Sequence, residues 1–241
     1  MTQDTFRLVG TPRFGGVLVV ADHASNRVPE DIDLGIDPAL LSQHVAVDIG
    51  VREVAEGLAT RAGFAAFLCN ASRLVCDCNR DEDALGILPL ASDGHAIPGN
   101  DLTPVQREVR LDRFFRPYHA ALAAQLDSVS PGLILSLHSF TPQLASDPEQ
   151  QRPWQVGVLY NDDDRAARIA IPLLEAEGLI VGDQQPYSGK LLNATMNRHA
   201  EAEGRPYLGI EIRQDEIGDA AGQAVWAERL ARLCYQVALH F

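Results

Sequence analysis

The sequence is poor in cysteine and lacks any long apolar run. Its four cysteines show neither the CxxC spacing of a zinc ribbon nor the density of a disulfide scaffold, so we expect them to be reduced and buried. No stretch of roughly 18 apolar residues occurs that could cross a bilayer. The N-terminus also lacks the basic segment and apolar stretch of a secretory signal, so we expect a cytoplasmic protein.

Positive charge is scarce as well. The formal net charge is −13, and no cluster of lysines and arginines with interleaved aromatic residues offsets it. Because this charge repels phosphate backbones and anionic lipids, we expect neither nucleic acid nor a membrane surface as a partner. An acidic small molecule would bind only where arginines are concentrated locally in its site.

Short apolar runs recur along the chain and are typical of strands covered on both faces. They occupy residues 16–21, 64–69, 133–137 and 156–160, and a further strand is predicted at 207–213. Amphipathic patterns between them predict helices at residues 47–58, 103–129, 163–177, 190–203 and after Asp219. Thr103 and Gln106 would form the capping box of the second helix, and Pro172 is expected to end or kink the third.

This alternation predicts an α/β fold. We expect a three-layer α/β/α sandwich with a mixed, largely parallel central sheet, and ligand sites in loops beyond the carboxyl ends of the strands. No linker or internal repeat divides the chain, so residues 1–241 are expected to form a single domain.

Two histidines follow predicted strands, namely His23 and His138. A lone histidine at a strand end is more often structural, but two at equivalent positions of one sheet favour a metal site. A carboxylate would complete a zinc site that keeps one position open for water. Asp48 and Asn26 are the candidates, and Asp48 is preferred because a neutral amide is a poor zinc ligand. Asp48 could instead only complement the dipole of the following helix.

The segment 72–80, SRLVCDCNR, carries two arginines and an aspartate. If it is extended, Arg73, Asp77 and Asn79 share one face and the cysteines the other. One interpretation is a structural Arg73–Asp77 ion pair near a sheet edge. The other is a carboxylate clamp in which Arg80, beside Asn79, anchors a substrate, because a guanidinium fits a carboxylate with two parallel hydrogen bonds.

A glutamate lies inside the last predicted strand, between two isoleucines. Burial there would raise the pKa of Glu211 toward that of a general base, whereas Arg213 or a metal would lower it again. A solvent-facing Glu211 is the alternative. Arg198, His199 and His119 could bind substrate or support the site, although surface or core roles suit each of them taken alone. No GxSxG, GxGxxG or GxxxxGK[ST] motif occurs.

Five segments between residues 16 and 217 carry a resemblance to a known family. In order they are DHASNRVP, VDIG, SRLVCDCNR, LSLHS and GIEIRQDEI. Together they resemble the N-formylglutamate amidohydrolases, whose fold is similar to that of zinc carboxypeptidases. The resemblance implies zinc-dependent hydrolysis of an N-acylated acidic amino acid, with N-formyl-L-glutamate giving formate and glutamate in histidine degradation.

Carried over by position, the resemblance implies zinc near His23 and His138, substrate recognition at Asn79 and Arg80, and a base at Glu211. One departure concerns Asn26, because the carboxypeptidase-like pattern has a glutamate there, three residues after the first histidine. With Asp48 as the third ligand, Arg73 or Arg213 would stabilise the oxyanion, and Arg198 is a further substrate-binding candidate. Two other functions stay open: deacylation or peptide hydrolysis of another N-acyl amino acid, and non-catalytic binding of small anions or metal.

Overall fold

The computed structural model describes residues 5–241. The strands are β1 (Phe6–Gly10), β2 (Val17–Ala21), β3 (Phe64–Cys69), β4 (Ala91–Ser92), β5 (His95–Ala96), β6 (Leu133–Phe140), β7 (Val156–Leu159), β8 (Val181–Asp183) and β9 (Tyr207–Arg213). The α-helices are α1 (Val51–Ala59), α2 (Pro104–Arg110), α3 (Arg116–Val129), α4 (Arg165–Ala176), α5 (Ala194–His199) and α6 (Ala220–Ala238). None of these helices is long and apolar enough to cross a membrane.

Seven strands form one mixed sheet in the order β1-β3-β2-β6-β9-β7-β8. The four central strands, β3, β2, β6 and β9, run parallel to one another. At one edge β1 is antiparallel to β3, and at the other β7 is antiparallel to β9 and parallel to β8. The predicted mixed and largely parallel sheet is therefore confirmed.

Helices cover both faces of this sheet. Every residue of β2, β3, β6 and β7 is buried, as expected for strands between two helical layers. Along β2, Val17 and Val19 pack in the cluster that contains the buried faces of α1, α4 and α6, whereas Leu18 and Val20 pack with α3 and α5. The three-layer α/β/α sandwich is thus confirmed.

A third apolar cluster lies outside the two main layers. It is formed by side chains from loops and from the start of the long helical segment, among them Leu34, Leu74, Ile87, Phe114 and Phe115. This cluster supports the segment 72–80. That segment is a series of tight turns, since the amide of Val75 donates to the carbonyl of Ser72, and the extended conformation considered from the sequence is wrong.

Helix boundaries differ from the predicted ones where a local feature intervenes. The capping box of Thr103 and Gln106 is confirmed, but the predicted single helix contains a π-helical turn at Leu111–Phe115. Pro117 follows two residues later and has no amide proton for the usual helical hydrogen bond. Helix α4 continues through Pro172, so of the two predicted effects, an end or a kink, the end does not occur. Pro172 is exposed, so the carbonyl that loses its partner can be hydrated.

Two further boundaries bear on the candidate site. Helix α1 begins at Val51 rather than at residue 47, which leaves Asp48 in the preceding loop. Strand β6 extends to Phe140, so His138 lies inside the strand and not after it. The predicted helix at 190–203 is reduced to α5 and a 3₁₀ turn at Glu201–Glu203.

Candidate active site

A cavity of 300 Å³ opens at the carboxyl ends of β2 and β6. The chain leaves β2 for β3 on one side, while β6 and β9 lie on the other, so the cavity lies where the strand order reverses. Ligand sites in open α/β sheets favour this position. Its walls include seven sequence-predicted residues: His23, Asp48, Arg73, Asn79, Arg80, His138 and Glu211.

Three buried side chains converge at the base of the cavity. His23 is the second residue after β2, His138 lies in β6, and Asp48 precedes α1. The Oδ2 atom of Asp48 lies 3.4 Å from Nδ1 of His23 and 2.8 Å from Nδ1 of His138. One ligand atom from each residue lies within 4.8 Å of the other two. Two imidazoles and one carboxylate are a donor set that suits zinc.

The outer nitrogen of each imidazole faces a second carboxylate. Nε2 of His23 lies 2.8 Å from Oδ1 of Asp77, and Nε2 of His138 lies 3.4 Å from Oδ2 of Asp22. This arrangement is typical of metal-binding histidines, because the outer carboxylate fixes the ring and increases its basicity. Nδ1 of His23 is buried and has no hydrogen-bond partner within residues 5–241, so it is available to a cation. The residues present therefore fit a divalent metal.

Asp48 owes its position to a tight turn. Gly50 adopts a φ of 77°, and a Cβ atom there would lie 2.2 Å from the carbonyl oxygen of Ile217, so this position requires glycine. The amide of Asp48 donates to the carbonyl of His23, and the amide of Ser139 donates to Oδ2 of Asp48. Asn26, the alternative third ligand, is exposed and lines a different pocket.

The electrostatics of the three residues agree with their contacts. Burial disfavours the charged form of Asp48, but the charge of His23 and the hydrogen bond with His138 outweigh it and hold the pKa of Asp48 well below its ordinary value. Burial likewise opposes protonation of His138, yet the nearby carboxylates of Asp22 and Asp48 raise the pKa of this imidazole. The site is a concentration of negative charge that attracts a cation.

Glu211 lies beside this group on the neighbouring strand. In the ladder between β6 and β9 it is paired with His138. Burial raises the pKa of Glu211 to about 7, although His138 opposes the rise. Among the described residues, no side chain hydrogen-bonds its carboxylate, which is partly exposed to the cavity. A carboxylate of this kind can exchange protons near neutral pH.

The turns of 72–80 bring both of their arginines to the cavity. Nη2 of Arg73 lies 2.9 Å from Oδ2 of Asp77, and its Nη1 lies 3.7 Å from Oδ1 of Asp48. The Arg73–Asp77 ion pair considered from the sequence is therefore present, within the cavity wall. Arg80 reaches Asp77 only through Nε, at 3.7 Å, and its side chain is 35% exposed. Its terminal nitrogens remain available to a ligand.

Two predicted site residues are not brought to the cavity. Arg213 shares a face of β9 with Glu211, but it lies at the end of the strand, where its guanidinium donates to the carboxylate of Asp215 and to the carbonyl of Pro153. Arg198 lies over the ring of Phe115, with 5.2 Å between guanidinium and ring centre, and lines a separate surface pocket.

His119 and His199 form a second buried pair outside the cavity wall. Nδ1 of His119 lies 2.8 Å from Nε2 of His199, and Nε2 of His119 donates to the carbonyl of Cys78. Burial lowers the pKa of His119 to about 3 and that of His199 to about 4. Both rings are therefore neutral at physiological pH.

Several residues in the cavity wall or behind it were not predicted from the sequence. Asp22 accepts hydrogen bonds from Tyr118 and Thr195, and this network holds it behind His138. Asp22 was visible beside His23, but its partners are distant in sequence. At the cavity mouth, His44 and Asp93 form a hydrogen bond of 2.9 Å.

Tyr187 also lines the cavity. It lies in the irregular segment between β8 and α5, where no periodic pattern or motif singled it out.

Comparisons with known proteins agree on one relationship. The family model of N-formylglutamate amidohydrolase matches residues 15–218. The crystal structure of gene product Atu2144 from Agrobacterium tumefaciens has 29% sequence identity and a TM-score of 0.90, over 98% of this chain and 95% of that one. The N-formylglutamate amidohydrolase from Ralstonia eutropha JMP134 has 20% identity and a TM-score of 0.77, over 98% of both chains. Comparison with curated proteins gives no match.

Proposed function

This chain belongs to the N-formylglutamate amidohydrolase family, and on that premise we propose that it is a zinc-dependent hydrolase of N-acylated acidic amino acids. Amide hydrolysis is the reaction of the family. The substrate proposed here is N-formyl-L-glutamate, which water would convert to formate and L-glutamate. The observation that carries the proposal is the convergence of His23, Asp48 and His138 beside Glu211, in a cavity that also contains Arg80.

His23, Asp48 and His138 would hold the metal, and Asp77 and Asp22 would orient the two imidazoles. A zinc ion bound there would polarise the acyl oxygen and acidify water. Within residues 5–241 three ligands converge, which would leave a tetrahedral zinc one position for water.

Glu211 is proposed as the general base. It would accept a proton from the attacking water and later return it to the departing amine nitrogen, which otherwise leaves poorly. Its raised pKa, its position opposite His138 and its free carboxylate support this role. A base with a pKa near the working pH transfers protons most effectively in both directions.

Arg80 and Asn79 are proposed to bind the α-carboxylate of the substrate. The free terminal nitrogens of Arg80 can form two parallel hydrogen bonds with a carboxylate. The side-chain carbonyl of Asn79 accepts a hydrogen bond from the backbone amide of Thr195. This bond fixes the orientation of the Asn79 side chain and leaves its NH₂ group to donate to a ligand. Local arginines can outweigh the charge of −13, since charges beyond about 8 Å are screened at physiological salt.

Arg73 is proposed to assist charge stabilisation near the acyl oxygen. Its two aspartate contacts fix the guanidinium, and its side chain is still 28% exposed toward the cavity. Arg213 and Arg198 have no part in this proposal because they lie outside the cavity.

A panel of N-acyl amino acids assayed with zinc-loaded and chelated protein tests the proposal. Formyl, acetyl and succinyl derivatives of glutamate, aspartate and glutamine vary the acyl group and the side-chain charge separately. We expect hydrolysis of N-formyl-L-glutamate by the zinc-loaded protein and its loss on chelation. Preference for another acyl group or for a neutral side chain would favour the broader deacylase activity, and binding without turnover across the panel would contradict an enzyme.

A further inference from the structure

Arg152 is a buried arginine whose contacts are unusual. Arg152 is only 5% exposed. Its Nε donates to the side-chain oxygen of Gln150. Its Nη1 donates to the carbonyl of Thr141 and, at 3.0 Å, to the hydroxyl oxygen of Tyr187. Within residues 5–241 no carboxylate lies within ion-pair distance of it. A buried charge without a counter-charge is costly, so the contact with Tyr187 requires an explanation.

Two interactions fix the position of Tyr187. The guanidinium of Arg152 lies over the ring of Tyr187, 5.1 Å from its centre, and also donates a hydrogen bond to the hydroxyl oxygen. Stacking and a hydrogen bond from one buried side chain leave the ring little freedom. Tyr187 is thus held rigidly on the cavity wall, although it lies outside regular secondary structure.

The hydroxyl proton of Tyr187 is not used by the protein. Its oxygen accepts from Arg152, and no described residue accepts its proton. A cationic donor on the oxygen makes the O–H group a stronger donor, since hydrogen bonds in a chain polarise one another. Burial raises the pKa of Tyr187 despite Arg152, so the group keeps its proton at neutral pH.

The surroundings of Tyr187 indicate its place in the cavity. Its segment passes beside Glu211, because a Cβ atom at Gly157, the ladder partner of Glu211, would lie 2.3 Å from the carbonyl oxygen of Gln185 and 3.4 Å from Cβ of Glu211. Tyr187 also lines the cavity together with Glu211 and Arg73. Tyr187 is therefore placed beside the proposed base, at the acyl end of the cavity.

We propose that Tyr187 donates a hydrogen bond to the acyl oxygen of the substrate and stabilises the negative charge that develops there. Arg152 is a positioning residue that acts through Tyr187. This inference rests on the proposed function, because it presupposes an N-acyl substrate whose carbonyl carbon is attacked by water. A donor fixed before the reaction stabilises the oxyanion without reorganisation during it.

Tyr187→Phe tests this role with a conservative change. We expect kcat for N-formyl-L-glutamate to fall about 10- to 100-fold with KM within about twofold, because the bond strengthens only as charge develops. Tyr160→Phe is the matched control. Tyr160 also has an arginine over its ring and a guanidinium donor on its hydroxyl, from Arg168 at 2.9 Å, but it does not line the cavity. Removing the Tyr160 hydroxyl should leave kcat unchanged.

Inhibition by a phosphoramidate analogue of the substrate gives a second readout. This tetrahedral anion imitates the oxyanion, so in Tyr187→Phe its inhibition constant should rise by the factor by which kcat/KM falls, while affinity for L-glutamate should not change. Arg152→Met should show part of the fall in kcat and part of the rise in the inhibition constant. Arg152→Lys, which keeps a cationic donor, should be more active than Arg152→Met. Zinc content and melting temperature equal to wild type show that each variant is folded and loaded.

The outcomes separate this inference from the proposed function. A folded, zinc-loaded Tyr187→Phe protein with wild-type kcat overturns the inference alone, and so does a rise in KM at constant kcat, which would place the hydroxyl on the substrate carboxylate. If the wild-type protein hydrolyses no N-acyl amino acid, the proposed function fails and the inference fails with it.

Discussion

The molecule contains two buried histidine pairs that look alike and differ in chemistry. In the cavity, the rings of His23 and His138 have centres 4.9 Å apart, and outside it those of His119 and His199 are 5.1 Å apart. The cavity pair is surrounded by three aspartates, which raise the pKa of both rings against the effect of burial. The other pair is bonded to itself and to a backbone carbonyl, and burial lowers its pKa values.

The difference shows that proximity of two imidazoles does not make a metal site. His119 and His199 use their facing nitrogens on each other, so no lone pair is left that converges with a carboxylate. His23 and His138 each direct one nitrogen to Asp48 and the other to an outer aspartate. The surrounding carboxylates, and not the histidines alone, decide which pair can bind a cation.

The largest effect should come from removing one ring of each pair. His23→Ala and His138→Ala should lose bound zinc and all measurable turnover while the fold is retained, because each removes one of three ligands. His119→Ala should keep its zinc and turnover and lose only stability. Metal analysis, circular dichroism and kcat on the same preparations check this. Near-stoichiometric zinc in both cavity variants would contradict the ligand assignment.

Glu211→Gln should produce the next largest effect. The amide is nearly isosteric but cannot accept the water proton, so kcat should fall by about 10²–10⁴ while zinc and substrate are still bound. Glu211 lies beside the cavity pair only, which makes this change specific to that pair. A zinc-replete variant within a few-fold of wild-type kcat would exclude Glu211 as the base.

The outer aspartates provide a graded test of the comparison. Asp77→Asn should weaken zinc affinity about 10- to 100-fold, because it removes the carboxylate behind His23. Asp22→Asn, behind His138 at the longer distance of 3.4 Å, should have a smaller effect. Competition titration with a zinc chelator measures both. Equal, wild-type affinity in the two variants would show that these carboxylates do not support the ligands.

Arg80→Lys tests the adjacent substrate end of the cavity. Lysine keeps the charge but loses the planar pair of donors, so KM for N-formyl-L-glutamate should rise about tenfold with a smaller change in kcat. Zinc content should stay at the wild-type level, since Arg80 contacts no proposed ligand directly. An unchanged KM would place Arg80 outside the carboxylate-binding site.

The smallest effect concerns the pH dependence of stability. His119 and His199 have folded-state pKa values of about 3 and about 4, below the ordinary 6.5, so the unfolded chain takes up protons first as pH falls. Their contribution to stability is present above pH 6.5 and is lost as pH falls toward 4. The free energy of unfolding should therefore fall less steeply with falling pH in His199→Gln than in the wild type. The difference between the two slopes should be at most about 1.4 kcal/mol per pH unit. Urea titrations of chelated wild type and His199→Gln between pH 4 and 7 measure the two slopes. Equal slopes would show that the His119–His199 pair does not contribute to the pH dependence of stability.

Sequence patterns predicted the five inner strands of the sheet and the residues attached to them, but not the edge strands β1 and β8. Apolar runs located β2, β3, β6, β7 and β9, and His23, His138 and Glu211 lie at or near the carboxyl ends of three of these strands. Periodicity could not predict what depends on turns and distant contacts. The segment 72–80 folds into turns over its own apolar cluster, and Arg213 is diverted to Asp215. Tyr187 and Arg152 come from irregular segments whose contact joins positions 35 residues apart.

The ladder between β6 and β9 has a consequence for protein engineering. It places His138 opposite Glu211 through backbone hydrogen bonds, so the spacing of ligand and base is set by main-chain atoms. The groups proposed to recognise the rest of the substrate lie on the segments 72–80 and 184–193, outside the sheet. Libraries that randomise exposed positions of these segments, leaving the proposed catalytic and positioning groups intact, could therefore retarget the protein to new acyl amino acids by directed evolution, without resetting its hydrolytic geometry.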